Sequence, residues 1–164
     1  MAMDKRTVYV ETSIISYLTA RPSGDLLAAA WQKVTIDWWD TRRSRFDLFA
    51  SEVVIEEAGR GDDSAAARRL EALAGIPLLA ITDEVIGFSQ NLIKVKAIPQ
   101  RAIGDALHIA LSAVHGIDYL LTWNYRHISN AETKPIIRGL CAASGYGYPE
   151  ICTPQELMGV FENG

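Results

Sequence analysis

Four polar positions in this chain stand where a folded α/β protein would gather reactive groups. Glu11 directly follows the β-prone run Thr7-Val8-Tyr9-Val10 and precedes two hydroxyls, Thr12 and Ser13. A second acid, Glu56 or Glu57, belongs to the helix after the apolar run from Phe46 to Ala50, and the two cannot be separated without the helix phase. Asp105 opens the Ala-, Leu- and Ile-rich stretch from Ile103 to Val114, and Asn124 comes two residues after the run from Asp118 to Thr122. Carboxylates and an amide brought to one edge make a site for a hard cation. Mg²⁺ and Mn²⁺ take oxygen ligands, and use a few carboxylates together with waters and a substrate phosphate. Without an ion such acids repel each other and one pKa rises. A divalent ion removes that conflict, activates water and stabilises charge on a phosphodiester oxygen. Thr12 and Ser13 would order the turn after Glu11, and Arg60, Arg126 and His127 are cations placed to hold phosphate. Asp118 competes with Asn124, but it precedes its strand and so belongs to the opposite edge.

Other chemistries lack their residues. No G-x-G-x-x-G follows the first strand and no G-K-[ST] phosphate loop occurs. H-E-x-x-H is absent, and His108, His115 and His127 lack the spacing of a metal cluster. No G-x-S-x-G elbow supports a serine nucleophile.

The elements that must deliver these groups can be read from apolar periodicity. Thr7 to Val10 is a short, continuously apolar strand of the buried, central kind. Ser13 to Leu18 forms a short helix or turn, interrupted by Pro22-Ser23-Gly24. A long helix follows with Ser23 as N-cap and Asp25 in its first turn, and Leu27, Trp31, Val34 and Trp38 form its apolar stripe. Arg42, Arg43 and Arg45 crowd its carboxyl end, where cations suit the helix dipole. Trp31, Trp38 and Trp39 read either as core or as a surface for a partner or second copy. Phe46 to Ala50 is the second strand, Ser51 caps a helix from Glu52 to Ala58, and a further helix covers Ser64 to Ala74. Pro77 to Ile81 is the third strand, and Thr82 caps a helix ending near Val95. The helix from Ile103 to Val114 puts Leu107, Ala110, Leu111 and Val114 on one face. Asp118 to Thr122, a helix from near Pro135 to Ser144 stopped by Gly145, and the strand Glu150-Ile151-Cys152 complete the run. Thr153-Pro154-Gln155-Glu156 reads as a capping box. The order β-α-α-β-α-α-β-α-α-β-α-β predicts an α/β fold, a central, mostly parallel sheet of four to five strands with helices on both faces. Right-handed crossovers bring the strand carboxyl ends to one edge, where ligands bind in such sheets.

Bulk properties are permissive. A chain of 164 residues is expected to be one domain, 1–164, and to hide roughly 70% of its unfolded surface. Hydrophobic content of 49% and charged content of 22% are ordinary for a soluble globular protein. The formal net charge of −4 argues against nucleic-acid binding through bulk charge alone, leaving a local basic patch or a basic partner. No apolar run approaches the ~20 residues of a membrane span, and Met1-Ala2-Met3-Asp4-Lys5-Arg6 lacks a signal-peptide core. The expected setting is therefore cytoplasmic. The two cysteines, Cys141 and Cys152, read as buried fillers in a reducing compartment.

Taken together, V-Y-V-E-T-S at 8–13, S-E-V-V-I-E-E at 51–57, G-D-A-L-H-I-A at 104–110 and D-Y-L-L-T-W-N at 118–124 resemble the PIN-domain nucleases. They resemble in particular the VapC-like toxins of type II toxin–antitoxin pairs, over about residues 7 to 158. The resemblance selects Glu57 over Glu56 and implies a PIN-like fold. It implies Mg²⁺ or Mn²⁺ held by Glu11, Glu57 and Asp105, endoribonuclease activity with Asn124 as a fourth site residue, and an antitoxin whose tail covers the site and often inserts an arginine. It leaves a homodimer open. Three features depart from the family's pattern. Glu11 stands where Asp is usual, Asn124 stands where a fourth acid is usual, and the segment from Pro22 to Arg45 exceeds the compact form. The first two raise the alternative of a catalytically degenerate module that binds RNA or protein without cutting.

Overall fold

A computed structural model describes residues 4–160; positions 1–3 and 161–164, the two ends of the expected 1–164 domain, lie outside the described residues. Five strands form one parallel sheet: β1 (Arg6–Val10), β2 (Phe46–Ser51), β3 (Leu78–Leu79), β4 (Tyr119–Leu121) and β5 (Glu150–Cys152). The spatial order is β3-β2-β1-β4-β5. The chain winds outward from β1 through β2 to β3, then crosses back to lay β4 on the other side of β1. That reversal is a topological switch point, the usual place for a ligand crevice in such sheets.

Seven α-helices connect the strands: α1 (Thr12–Thr19), α2 (Leu26–Thr41), α3 (Glu52–Ala58), α4 (Asp63–Leu73), α5 (Asp83–Lys94), α6 (Ile103–Val114) and α7 (Lys134–Ser144). The expected alternation and the central places of β1 and β4 are those observed. Val8, Tyr9 and Val10 are fully buried, as the continuous apolar run requires.

Several local expectations change. Asp25, not Ser23, caps α2, its carboxylate accepting from the Ala28 amide at 2.8 Å. Ser23 instead accepts from the Asp25 amide. Leu27 is exposed, so the α2 stripe begins only at Trp31. Trp38 is fully buried, which removes it from any partner surface, and Trp39 lies under the Arg43 guanidinium at 4.1 Å. The third strand is two residues long rather than five, because β3 is an edge strand that pairs only with Ala50 and Ser51. The 153–156 capping box forms reciprocally, Thr153 N to Glu156 Oε1 at 3.1 Å and Glu156 N to Thr153 Oγ1 at 3.3 Å, but it caps a single turn.

The amphipathic reading of α6 was too narrow. Ala106 and every residue from His108 to Ala113 are buried, while Leu107 and Val114 are only partly so. The cause is tertiary: α6 packs against α5, α3 and β4 at once, so more than one face loses water. Both cysteines are free and buried, and burial pushes their thiols up, Cys141 to about 11 and Cys152 to about 12. Neither forms thiolate readily at neutral pH, which fits the role of filler. Among the described residues no helix is long and apolar enough to cross a membrane.

Candidate active site

Sheet register sets the first acid. Val10 pairs with Leu121, and the ladder continues one step as the Glu11 amide donates to the Leu121 carbonyl at 3.1 Å. Glu11 therefore leaves β1 beside Thr122. Its carboxylate accepts from Thr122 Oγ1 at 2.5 Å, from Ser13 Oγ at 2.5 Å and from the Ser13 amide at 3.0 Å. The same contact to the amide makes Glu11 the N-cap of α1, where a negative charge suits the dipole. Glu11 is only 4% exposed, so these charge-assisted bonds are what make its burial tolerable. Ser13 Oγ also accepts from the Trp123 amide at 2.9 Å, and Thr122 Oγ1 from the Asn124 amide at 2.9 Å. The two hydroxyls thus join the turn after β1 to the turn after β4.

The second acid is decided by the phase of α3. Glu56 is exposed and pairs with Arg60 at 2.7 Å, whereas Glu57 turns inward and bonds His108 Nε2 at 2.5 Å. Arg60 is thereby held at the surface, although its charge reaches Glu57. His108 is fully buried, and its Nδ1 shares a hydrogen bond of 2.7 Å with the Tyr9 hydroxyl, which also meets Ser51 Oγ at 2.7 Å. Burial opposes charge on His108, but the Glu57 bond and the charges of Glu11, Glu57 and Asp105 outweigh it and raise its pKa. Burial likewise opposes charge on Glu57, yet the His108 bond and charge, Thr12 and Arg60 hold it below the ordinary carboxylate range. Thr12 Oγ1 is itself buried without a formed hydrogen bond. Gly104 borders this pocket: a Cβ there would stand 3.9 Å from Glu57 Oε1.

The third acid, Asp105, accepts from Asn124 Nδ2 at 3.2 Å and meets His127 Nδ1 at 2.7 Å. Asn124 Oδ1 in turn accepts from the His127 amide at 3.1 Å, so one amide side chain fixes both the acid and its histidine. Asp118 lies at the other edge, accepting from Thr7 and Arg6.

Each acid thus has its own partner: Glu57 meets His108, Asp105 meets Asn124 and His127, and Glu11 meets Ser13 and Thr122. The pattern of these residues along the chain agrees with a comparison to known families: the profile described as PIN domain matches residues 8–132. The chain belongs to the PIN-domain family. PIN domains are generally nucleases and typically use a divalent metal. No match is found among curated proteins.

This PIN domain offers such an ion three carboxylates, an amide and an unpartnered buried hydroxyl, a donor set of hard oxygens that fits Mg²⁺ or Mn²⁺ in kind. The acids are nevertheless engaged elsewhere. Among the described residues no group of three or more His, Cys, Asp or Glu side chains stands close enough to hold a metal together. Glu57 is drawn to His108, Asp105 to His127 and Glu11 to its hydroxyls.

Reading along the chain missed His108, Tyr9, Ser51 and Thr122. The signal for His108 was its place three residues after Asp105 on an otherwise apolar helix, where the two side chains share a face. Ser51 was read only as a cap; it does bond the Val54 amide, at 3.4 Å, besides meeting Tyr9.

The His108–Glu57 pair ties stability to pH. The folded pKa of Glu57 lies below the ordinary 4.5, so its contribution is present above that value and is lost as pH falls through the folded pKa. The folded pKa of His108 lies above 6.5, so its contribution is full below 6.5 and is lost as pH rises through the folded pKa. Thermal unfolding followed from pH 4 to 9 is expected to show a loss on the alkaline side that His108→Gln flattens. An unchanged alkaline limb in that variant would show that the pair does not carry this dependence.

Proposed function

We propose that this PIN domain, acting as a single unit over residues 1–164, is a Mg²⁺- or Mn²⁺-dependent endoribonuclease and the toxin of a toxin–antitoxin pair. The observation that carries the reading is geometric: Glu11, at the end of β1, is bonded to Thr122 at the end of β4, while Glu57 is bonded to His108 on α6, the helix that also carries Asp105. When bound there, the ion supplies positive charge to the scissile phosphate and lowers the cost of ionising water.

The chain's own residues do the rest. Glu11 is locked by Ser13 and Thr122, and Asp105 by Asn124, so their oxygens would be offered to the ion from fixed positions. The lowered pKa of Glu57 suits a permanent anion that holds a cation, and makes it a poor general base. Water adds to phosphorus and the bridging P–O bond breaks, leaving one new terminus with the phosphate and the other with a hydroxyl. Asn124 is a neutral orienting group, and Thr12, Arg126 and His127 border the place where the strand would pass. Arg60 pairs with Glu56 at the surface, a weak exposed contact that a phosphate can replace. An acidic chain with a carboxylate cluster suits a basic antitoxin segment as its cover.

The test is cleavage of RNA by the purified chain with Mn²⁺ and its loss in EDTA. A short basic or DNA-binding protein encoded immediately upstream would support the toxin role. The second reading, a module that binds without cutting, is favoured by the engagement of all three acids in hydrogen bonds. Calorimetric titration separates the two: RNA binding without Mg²⁺ or Mn²⁺ binding would favour the second.

Glu11→Asp is expected to retain or raise metal-dependent cleavage. Aspartate is the better N-cap for α1 and the family's usual residue, and shortening the side chain loosens the Thr122 bond that holds the carboxylate back. Complete loss of cleavage would mean that the site is built around the longer acid.

A further inference from the structure

The turn after β4 separates two kinds of side chain. Asn124 sits at its centre, and the Tyr125 amide bonds back to the Trp123 carbonyl at 3.0 Å while the Ser129 amide reaches the Asn124 carbonyl at 2.8 Å. On one side lie rings. Trp123 is buried and stacks on Trp31 at 5.1 Å and 12°, and its indole N–H donates to Thr35 Oγ1 at 2.7 Å. Tyr17 closes the cluster edge-on against both indoles. Tyr125 leans on Trp31 at 5.7 Å, yet is 44% exposed. Its hydroxyl end lies beside Thr153 and Glu156, so the ring is held in place with surface left over.

On the other side lies a groove of about 510 Å³ between the segment after α5 and the same turn. Lys96, Arg126 and His127 line it with Gln100 and Thr133, and no carboxylate does. Among the described residues neither Lys96 nor Arg126 forms an ion pair. Lys96 has φ +61°, the one positive φ of a non-glycine residue among those described. It occupies the left-handed position that ends α5, with the Ala97 amide bonded to the Leu92 carbonyl, a place where glycine is the usual solution. A side chain there is disfavoured by the backbone and is put into the groove. His127 joins groove to site through Asp105. In a chain of net charge −4, Lys96 and Arg126 make a local pair of cations beside the acids.

We propose that this turn carries a nucleotide subsite, in which one RNA base lies on the exposed Tyr125 ring backed by Trp31 and an adjoining backbone phosphate occupies the Lys96–Arg126 groove. The subsite rests on the reading of the chain as an RNA nuclease. Stacking on an aromatic ring is open to any base, and cations read only the backbone, so the subsite positions the strand without choosing its sequence. Tyr125, Lys96 and Arg126 are positioning residues, and His127 of the same groove meets Asp105.

The experiment is equilibrium binding in EDTA, where no metal-dependent cleavage occurs. The probes are a fluorescent oligouridylate of about ten nucleotides and the same strand with abasic sites, read by anisotropy. Tyr125→Leu is expected to weaken binding of the intact strand by about 5- to 150-fold. Tyr125→Phe keeps the ring and is expected to keep the affinity. With the abasic strand, wild type and Tyr125→Leu should bind alike, which a merely structural effect of the substitution would not produce. Lys96→Gln and Arg126→Gln are expected to weaken both strands equally and each to reduce the salt slope by about 0.7. Unchanged affinity in Tyr125→Leu, or equal weakening of intact and abasic strands, overturns the base site. Unchanged salt slopes overturn the phosphate groove. These affinities are read without cleavage, so either failure is distinct from failure of the nuclease reading, which Mn²⁺-dependent cutting tests.

Discussion

Asp105→Asn is expected to remove metal-dependent RNA cleavage, by on the order of 10²- to 10³-fold or more, while leaving the fold in place. The substitution keeps the shape of the side chain and takes away its charge. Asp105 is about four-fifths buried, its side chain 18% exposed, so that charge is a strong local term. Its structural work is modest by comparison. It accepts one bond from Asn124 and one from His127, and a neutral amide can make both contacts after reorientation. Unfolding midpoints should therefore stay close to wild type, and calorimetry should show weakened Mn²⁺ binding. Asn124→Ala, which removes only the group that orients Asp105, should cost less, about 10- to 100-fold. Equal cutting by wild type and Asp105→Asn would trace the activity to a contaminant and sink the assignment.

Trp38→Ala is expected to cost about 3–5 kcal/mol of stability. Trp38 is fully buried, stacks on Phe46 at 5.8 Å, and donates its indole N–H to the Leu157 carbonyl at 3.2 Å. Truncation leaves a cavity between α2 and the sheet and orphans that carbonyl. Domains of this size hold only about 5–15 kcal/mol in all, so the loss is a large share. Urea unfolding should show a lower midpoint with an unchanged slope. Trp38→Phe should recover part of the loss, since an aromatic ring remains although the hydrogen bond and the second ring go. The consequence reaches the site, because α2 also carries Thr35, whose hydroxyl holds Trp123 beside Asn124. A midpoint shift worth less than about 1 kcal/mol would mean that the cavity collapses and that α2 is not anchored through this residue.

The departures of this chain from its family's usual residues take on physical content in the structure. Glu11 is long enough to reach Thr122 and cap α1 with the same carboxylate. Asn124 lacks a charge but supplies a donor, and it spends that donor on Asp105. With a fourth acid in its place, Asp105 would face a like charge at that distance rather than a hydrogen bond. The segment between β1 and β2 is long because it carries a full helix, and that helix supplies Thr35, Trp31 and Trp38 to the turn and the core.

What could be read along the chain was whatever depends on neighbours in sequence. Continuous apolar runs marked β1 and β4 as buried strands, because a parallel strand covered on both faces has no polar side to show. Caps at Ser51 and Thr82 and the left-handed Gly145 marked helix ends, because these bonds span only two to four residues. Glu11 and Asn124 stood out by their place after β1 and β4, Glu57 by its place on the helix after β2, and Asp105 by opening an apolar helix. Which side chains meet was not visible. That Glu57 faces α6 while Glu56 faces solvent is a matter of α3 phase, expressed in a bond to His108 across 51 residues. The lock on Glu11 depends on the register of β1 with β4, across 111 residues. His108 looked like one histidine in an apolar helix; tertiary packing buries it and places it between Glu57 and Tyr9. Local propensity is a property of the chain, whereas register, phase and burial are properties of elements packed together, and the chemistry of this site is set by the latter.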